Sequence, residues 1–169
     1  MSLPALLAEI DRMDACGLDL EEILEATMQQ LSEVNPLFHW TGIYELFPDD
    51  VLRLGPFVGA PTDHVFISVG RGVCGRAVAE RRNMNIPDVQ KESNYLACST
   101  QTRSELVVLI RVGEMIYAQI DIDSHQLAAF DDEAVALVQG VADRLALVYA
   151  ARRSNRVAIG SRRPDLGAA

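Results

Sequence analysis

The chain has 169 residues, of which 49% are hydrophobic and 23% are charged, so its composition favours one compact domain over a disordered chain. Its longest uninterrupted apolar runs fall well short of the roughly 18 residues that cross a membrane. The acidic start of the chain is unlike a signal peptide. We therefore expect a cytoplasmic protein without membrane contact.

The charge is unevenly distributed along the chain. The net charge is −9, but residues 152–169 carry five arginines against one aspartate, which leaves about −13 on residues 1–151. A body with this charge repels phosphates, so nucleic acid is not an expected partner. We predict a single domain over residues 1–151, followed by a basic, poorly ordered tail over residues 152–169.

Helical patterns occupy both ends of the domain. Apolar spacing predicts a helix over residues 2–14, and Asp19 with Glu22 forms a capping box that begins a second helix ending at Asn35-Pro36. Asp131 is predicted to cap the last helix. Its apolar residues recur at heptad spacing: Ala134, Val138, Val141, Leu145 and Val148. These apolar seams exceed what one sheet face needs, which predicts a homodimer.

Between the helices, the hydrophobic period is two, which is typical of strands. A glycine-rich turn and a short helix over about residues 75–80 interrupt this region. The extended segments are residues 38–47, 51–54, 65–69, 84–89, 105–111 and 115–123. The order predicts an α+β domain with a central antiparallel sheet flanked by N- and C-terminal helices.

Three cysteines, Cys16, Cys74 and Cys98, are too few and too widely spaced for a disulfide framework or a zinc motif. Two interpretations remain, namely inert buried thiols or a redox pair. The run Gly70–Gly75 matches a dinucleotide-binding fingerprint, but it lacks the parallel strands and full-length helix that such a site requires. Its glycines instead predict a tight turn that exposes Cys74 near a helix N-terminus, where a thiolate is favoured.

The strand over residues 115–123 alternates between an apolar face and an acidic face. Asp121 and Asp123 lie about 7 Å apart on the acidic face. If buried, they need a cation, hydrogen-bond donors or a shared proton; the alternative is a solvated strand face.

An aromatic face is predicted on the first strand. Trp40, Gly42 and Tyr44 share one side, where the glycine leaves a notch that a ligand or simple core packing could fill. Aromatic rings accept a methyl or thioether group, carboxylates accept an ammonium group, and cysteines exchange electrons. Together these features favour a small sulfur-containing amino acid as the ligand.

Seven ordered segments between about Phe38 and Asp132 resemble GAF domains of the free methionine-(R)-sulfoxide reductase family. They are HWTGIYEL (39–46), LGPFVGAP (54–61), GRGVCG (70–75), IPDV (86–89), LAC (96–98), RSELVV (103–108) and QIDIDS (119–124).

The resemblance implies a redox pair. Cys98 would be the nucleophile and Cys74 the resolving cysteine, although these roles could be exchanged. The expected reaction reduces free L-methionine-(R)-sulfoxide through a sulfenic acid and a disulfide, which an external thioredoxin-like dithiol would reduce. No metal or bound cofactor is expected.

The resemblance also assigns the substrate pocket. Trp40 and Tyr44 would embrace the methyl end of the substrate. The backbone N–H groups around Leu96 and Ala97 would receive its carboxylate. The acidic positions, which would hold the ammonium group and protonate the sulfoxide oxygen, are Glu105, Asp121 and Asp123, and Asp88 would belong to the same wall.

Two segments depart from the family pattern. Residues 61–64 read Pro-Thr-Asp-His where the family commonly has a third cysteine, and residues 94–99 read Asn-Tyr-Leu-Ala-Cys-Ser instead of Gly-His-Ile-Ala-Cys-Asp. Two alternatives therefore stay open. One is a non-catalytic GAF sensor that binds an amino acid or cyclic nucleotide, and the other is a diverged reductase of another sulfoxide or disulfide.

Overall fold

The computed structural model describes residues 1–96 and 99–160, with side chains through Arg152. Ala97, Cys98 and residues 161–169 lie outside the described residues. Within the described part, the helices are α1 (Leu3–Ala15), α2 (Leu20–Val34), α3 (Gly72–Glu80) and α4 (Asp132–Gly160).

The predicted caps begin two of these helices. Asp19 and Glu22 form the full capping box, in which the Glu22 N–H donates to Asp19 Oδ1 and the Asp19 N–H donates to Glu22 Oε2, each at 2.9 Å. At α4, Asp131 Oδ1 accepts the Ala134 N–H at 2.9 Å. Local side-chain chemistry therefore fixes where α2 and α4 begin.

One antiparallel sheet runs through the described residues, with six strands in the order β3-β2-β1-β6-β5-β4. A 3₁₀ turn, Val89–Lys91, follows β4. The strands are β1 (Trp40–Phe47), β2 (Val51–Val58), β3 (Phe66–Ser68), β4 (Met84–Ile86), β5 (Ser104–Val112) and β6 (Met115–Ser124). The predicted α+β architecture is confirmed.

Strand β2 extends four residues beyond the predicted end at Leu54. The pair Gly55-Pro56 is typical of a strand end, because proline has no N–H group to donate to a neighbouring strand. The register between β1 and β2 shifts between Gly42 and Tyr44, opposite these two residues. The irregularity accommodates the proline, so the strand continues past it.

The sheet separates two cores. Helices α1, α2 and α4 cover one face, and the heptad positions predicted on α4 are all buried there. By length and composition α4 could cross a membrane, but Val138, Val141 and Leu145 have no exposed surface and pack into this core. The other face is covered by α3 and adjoining loops and carries the predicted site residues.

A register shift between Ile110 and Arg111 changes which β6 residues share a face. Beyond it, Tyr117 turns toward the helices and stacks on Tyr149, with ring centroids 5.6 Å apart, while Ile116 joins the opposite core. The predicted alternation is therefore wrong at these two residues. It is correct from Ala118 onward, because this part of β6 pairs regularly with β5.

Helix α4 continues past residue 151, the predicted end of the domain, as far as Gly160. Arg152, assigned to the poorly ordered tail, is fixed against the first helices. Its Nη2 lies 2.7 Å from Asp14 Oδ1 and donates to the Leu18 carbonyl at 2.8 Å. The predicted domain bounds and the poorly ordered tail stay predictions.

Candidate active site

Strand pairing brings the predicted aromatic and acidic residues together. Trp40 pairs with Asp123 across β1 and β6, and Gly42 pairs with Asp121. On the other side of β6, Asp123 pairs with Glu105. Residues that are far apart in sequence thus become neighbours on the sheet face beneath α3.

The three carboxylates lie inside the protein. Glu105 is 5% exposed, Asp121 is 0% exposed and Asp123 is 3% exposed. Among the residues that the structure describes, both Asp121 oxygens and Asp123 Oδ1 have no hydrogen-bond partner. The alternative of a solvated strand face is therefore excluded, and the cluster calls for a cation or for protons.

Burial favours the protonated form of each carboxyl group. It raises the pKa of Asp121 from 3.8 to about 7, an effect that the nearby Cys74 thiol partly offsets. Burial also raises the pKa of Glu105 well above its ordinary value, and the charges of Asp121 and Asp123 raise it further. The pKa of Asp123 is raised by its burial and then by Asp121. The cluster can therefore hold protons near neutral pH.

Cys74 lies beside these carboxylates, at the third residue of α3. The preceding turn has the predicted positive φ angles, +90° at Gly70 and +64° at Gly72. The predicted exposure of Cys74 is wrong, because the residue is only 4% exposed and its Sγ lies 3.9 Å from Glu105 Oε1. The turn directs the thiol inward, onto the sheet, and not toward solvent.

A small cavity of about 10 Å³ adjoins the thiol, roughly the space of one water molecule. Half-buried Leu96 forms part of its wall. The other lining residues are Ile67, Arg71, Gly72, Val73, Cys74 and Glu105. The loop that contains the predicted nucleophile thus approaches Cys74, although Ala97 and Cys98 themselves lie outside the described residues.

The aromatic wall is a stack of rings. Trp40 stacks on Phe57 with ring centroids 5.5 Å apart and lies 6.3 Å from Tyr44. A Cβ atom at Gly42 would lie 2.5 Å from Trp40 Cη2, and one at Gly59 would lie 2.6 Å from Trp40 Cδ1. The predicted notch at Gly42 is therefore occupied by the indole of the chain itself, which two glycines accommodate.

The polar groups of Trp40 and Tyr44 both donate to the loop over residues 60–64. Trp40 Nε1 donates to the Ala60 carbonyl at 3.0 Å, and the Tyr44 hydroxyl donates to the His64 carbonyl at 2.8 Å. This is the segment where the sequence lacks the third cysteine of the family. Its backbone carbonyls thus hold the polar ends of both rings.

The close fit at Gly42 predicts a selective loss of stability. We expect Gly42→Ala to lower the free energy of unfolding by about 1–3 kcal/mol, because the added methyl group overlaps the Trp40 ring. Gly55→Ala is the matched control, since its added Cβ would have its nearest contact at 3.5 Å. Urea unfolding followed by tryptophan fluorescence measures both variants, and equal stabilities would contradict the packing described.

Asp88 has a local role in the structure. Its Oδ1 accepts the Gln90 N–H at 3.2 Å, and its Oδ2 lies 3.6 Å from Lys91 Nζ. The side chain thus caps the 3₁₀ turn after β4. Its assignment to the acidic wall stays a prediction, as does the role of the Leu96 backbone.

Three further residues near the site were not singled out from the sequence. Phe57 forms one side of the aromatic stack. Arg76, two residues after Cys74, offsets part of the rise in the pKa of Glu105, and the nearby Thr102 hydroxyl does the same for Asp123. Phe57 belongs to the segment LGPFVGAP, which carries part of the family resemblance. The sequence did not indicate that its ring would stack on Trp40.

Gln119 is a fourth residue on this face, next to Asp121 along β6 and paired with Tyr44 and Leu109. It is 0% exposed, and within the described ranges neither of its amide atoms has a hydrogen-bond partner. The alternation placed it on the acidic face, but nothing in the sequence indicated that its amide would be buried.

The buried amide predicts that an apolar replacement stabilises the protein. We expect Gln119→Met to raise the free energy of unfolding by about 1–3 kcal/mol, because it removes a buried unsatisfied group with little change in volume. Gln101→Met, at an exposed position, should change stability by less than about 0.5 kcal/mol. Urea unfolding tests the pair, and a destabilised Gln119→Met would show that the amide is satisfied.

Comparisons with known proteins agree with this geometry. Residues 19–149 match the family profile of the GAF domain. The free methionine-R-sulfoxide reductase of Escherichia coli strain K12 is 41% identical over 105 residues, which cover 62% of this chain and 60% of that protein. The chain thus spans about 60% of the length of the first curated relatives that it matches.

Two solved structures are similar to this chain over more than nine-tenths of their own length. The type II free methionine-R-sulfoxide reductase of Thermoplasma acidophilum is 40% identical, with a TM-score of 0.72, and the match covers 77% of this chain and 94% of that one. The free methionine-R-sulfoxide reductase of Neisseria meningitidis, solved with its substrate, is 31% identical with a TM-score of 0.81, covering 90% and 91%. With the profile match, the six-stranded antiparallel sheet and the buried cluster beneath α3, these similarities show that the chain belongs to the GAF domain family.

Proposed function

We propose that the protein reduces free L-methionine-(R)-sulfoxide to methionine by thiol chemistry. The observation that carries the proposal is the buried Cys74 thiol beside Glu105, Asp121 and Asp123, with the Trp40 stack next to them. The free methionine-R-sulfoxide reductases among the relatives support the same activity.

The acidic cluster suits the amino group of a free amino acid. An ammonium group brings one positive charge and three N–H donors to oxygens that have no hydrogen-bond partner in the described part of the chain. The aromatic stack of Trp40, Phe57 and Tyr44 offers an apolar surface for the methyl end. The two features together favour a free amino acid over a peptide-bound one, since a peptide lacks the ammonium group.

The same cluster supplies the proton that the reaction needs. A sulfoxide oxygen is transferred readily only when it is protonated, and a carboxyl group with a pKa near 7 is an effective acid at neutral pH. The pKa of Asp121, raised to about 7 by burial, meets this requirement. Asp121 is therefore the proposed acid, with Glu105 and Asp123 sharing protons and holding the ammonium group.

The proposed redox cycle balances over two thiols. The Cys98 thiolate attacks the sulfoxide sulfur while the oxygen takes a proton from the acidic cluster. The new S–S bond and the S–O bond then break as the OH group passes to the Cys98 sulfur, giving methionine and a Cys98 sulfenic acid. The Cys74 thiol then attacks the sulfenic acid, releasing water and forming a disulfide. A thioredoxin-like dithiol reduces this disulfide by exchange and is itself oxidised. We further propose a cytoplasmic homodimer, with no metal or organic cofactor in the cycle.

Substrate turnover tests the proposal directly. The purified chain with dithiothreitol should convert free L-methionine-(R)-sulfoxide to methionine, measured by chromatography of the free amino acids. The S epimer and the N-acetylated R sulfoxide, which lacks the ammonium group, are the controls and should react at least about tenfold more slowly. Equal rates for all three would contradict the substrate proposal, and no methionine from any of them would contradict the activity.

The buried acids also predict a pH dependence of stability. A carboxyl group with a raised pKa binds more protons in the folded state, so its contribution is fully present below its unfolded pKa and is lost as pH rises through its folded pKa. For Asp121 this window runs from 3.8 to about 7. Stability should therefore fall between about pH 4 and pH 7, and less steeply in Asp121→Asn.

Urea unfolding at several pH values measures this slope. Asp63→Asn is the matched control, because Asp63 is exposed and its replacement should keep the slope of the parent chain. An unchanged slope in Asp121→Asn would show that Asp121 ionises as easily in the folded chain as in the unfolded one.

A further inference from the structure

One buried cluster contains three side chains whose ligand atoms lie close together, namely Cys74, Glu105 and Asp121. The Cys74 sulfur and one carboxylate oxygen from each acid all lie within 4.8 Å of one another, and all three residues are buried. We propose that, in the reduced protein, these three side chains bind a Zn²⁺ ion.

The distances are close to those of a tetrahedral zinc site. With Zn–S near 2.3 Å and Zn–O near 2.1 Å, tetrahedral angles place sulfur about 3.6 Å and oxygen about 3.4 Å from a neighbouring oxygen ligand. The Cys74 Sγ to Glu105 Oε1 distance is already 3.9 Å. The other donor pairs lie within 4.8 Å of each other, so they must approach by at most about 1.4 Å when the ion binds.

The charge of the cluster also favours a divalent cation. Both oxygens of Asp121 and Oδ1 of Asp123 have no hydrogen-bond partner within residues 1–96 and 99–152. The nearby cation that acts on Glu105 is Arg76, whose guanidinium pairs with Glu92 at 2.7 Å. A bound divalent cation would thus take the place of the protons that these buried acids otherwise hold, and one shared arginine does not supply the same charge.

A space for the fourth ligand lies beside two of the donors. The cavity of about 10 Å³ that Cys74 and Glu105 help to line has room for about one water molecule. Three protein ligands with one water molecule is the common arrangement of zinc sites that keep an open position.

The thiol decides which metal the site prefers. Mg²⁺ and Ca²⁺ select oxygen ligands, whereas a thiolate with two carboxylates suits the borderline-soft Zn²⁺. Binding displaces the thiol proton, so the cysteine enters the site as a thiolate. Oxidation of Cys74 removes this ligand, so the site exists only in the reduced chain.

The effect on activity rests on the proposed function, although metal binding itself does not. Zn²⁺ at this position occupies Glu105, which is proposed to hold the substrate ammonium, and Asp121, the proposed acid. It also occupies the thiol that is proposed to resolve the sulfenic acid. Zn²⁺ should therefore inhibit sulfoxide reduction in competition with the substrate. An inactive protein that still binds the metal would separate the two proposals.

Cobalt substitution tests the binding without relying on activity. The reduced chain is titrated anaerobically with Co²⁺ and then with Zn²⁺ while its absorption spectrum is recorded. We expect one Co²⁺ per chain, a thiolate-to-cobalt charge-transfer band, visible bands of tetrahedral intensity, and loss of both on adding one equivalent of Zn²⁺. An about tenfold excess of Mg²⁺ should leave the cobalt spectrum unchanged.

Variants assign the signal to the proposed ligands. Cys74→Ser should abolish the charge-transfer band, and Asp121→Asn should weaken cobalt binding by at least about tenfold. Cys16→Ser, which alters an exposed thiol, should leave the spectrum intact. A spectrum that survives Cys74→Ser, disappears in Cys16→Ser, or never shows a thiolate band in the parent chain would overturn the proposal.

Discussion

Replacement of Cys98 by serine should abolish the reduction of free L-methionine-(R)-sulfoxide, lowering kcat by at least about 10³-fold. The reason is chemical: a serine hydroxyl is not ionised at neutral pH and cannot take up the sulfoxide oxygen, as a thiolate does when it becomes a sulfenic acid. The measurement is methionine release with dithiothreitol as the reductant. Because the segment LAC contains the proposed nucleophile, this substitution removes the first bond-making step.

Two control variants make this result specific. Cys16→Ser should retain the activity of the parent chain, because Cys16 is exposed at the end of α1, away from the buried cluster. Cys74→Ser should still release one methionine per chain in a single turnover but should lose thioredoxin-dependent turnover. If Cys98→Ser keeps the single turnover and Cys74→Ser loses it, the two cysteines exchange roles, whereas full activity of Cys98→Ser would contradict the cycle.

Replacement of Asp121 by asparagine should lower kcat/KM by about 10²–10⁴-fold, the range that general acid catalysis contributes. Asparagine matches the size of the aspartate but cannot hold a transferable proton or attract the ammonium group. The parent chain should lose activity as the pH rises above about 7, because Asp121, whose pKa burial raises to about 7, then ionises. The residual activity of Asp121→Asn should lack this alkaline decline.

The test measures pH profiles of kcat/KM for the parent chain, Asp121→Asn and the exposed control Asp63→Asn. Asp63→Asn should reproduce the parent profile, since Asp63 lies on the surface. Asp121→Asn should remain folded at neutral pH, because it removes a buried ionisable group. An alkaline decline that persists in Asp121→Asn would assign the proton to Glu105 or Asp123 instead.

Local patterns predicted the main elements of the fold. The capping box at Asp19 and Glu22 and the cap at Asp131 act within one turn of a helix, so their effects can be deduced from neighbouring residues alone. The period of two over β5 and β6 predicted the second hairpin, and the alternation from Ala118 to Asp123 assigned the acidic residues to one face correctly.

Features that depend on distant contacts could not be predicted in this way. The continuation of β2 through Pro56 depends on a register shift in its partner strand, and the bulge at Ile110 reverses the faces of Ile116 and Tyr117. Neither irregularity leaves a local signal. Helix α4 likewise extends beyond the predicted domain end, with Arg152 held by contacts to α1 and to the loop that follows it.

The spacing of the acidic residues could be deduced from the sequence, but their packing could not. Asp121 and Asp123 were found from spacing, but their burial depends on α3, which covers the sheet face. The sequence also did not indicate that Cys74 points inward or that the Trp40 ring fills the space at Gly42. Burial is a property of the assembled layers, so composition and spacing alone cannot give it.

A single-turnover reaction with disulfide mapping is the most direct measurement of the thiol cycle. The reduced chain, freed of reductant, is mixed anaerobically with excess free L-methionine-(R)-sulfoxide, and both methionine and cross-linked peptides are quantified by mass spectrometry. The proposed cycle predicts about one methionine per chain and a disulfide that joins Cys74 to Cys98. No methionine, or a product disulfide that contains Cys16 instead, would contradict it.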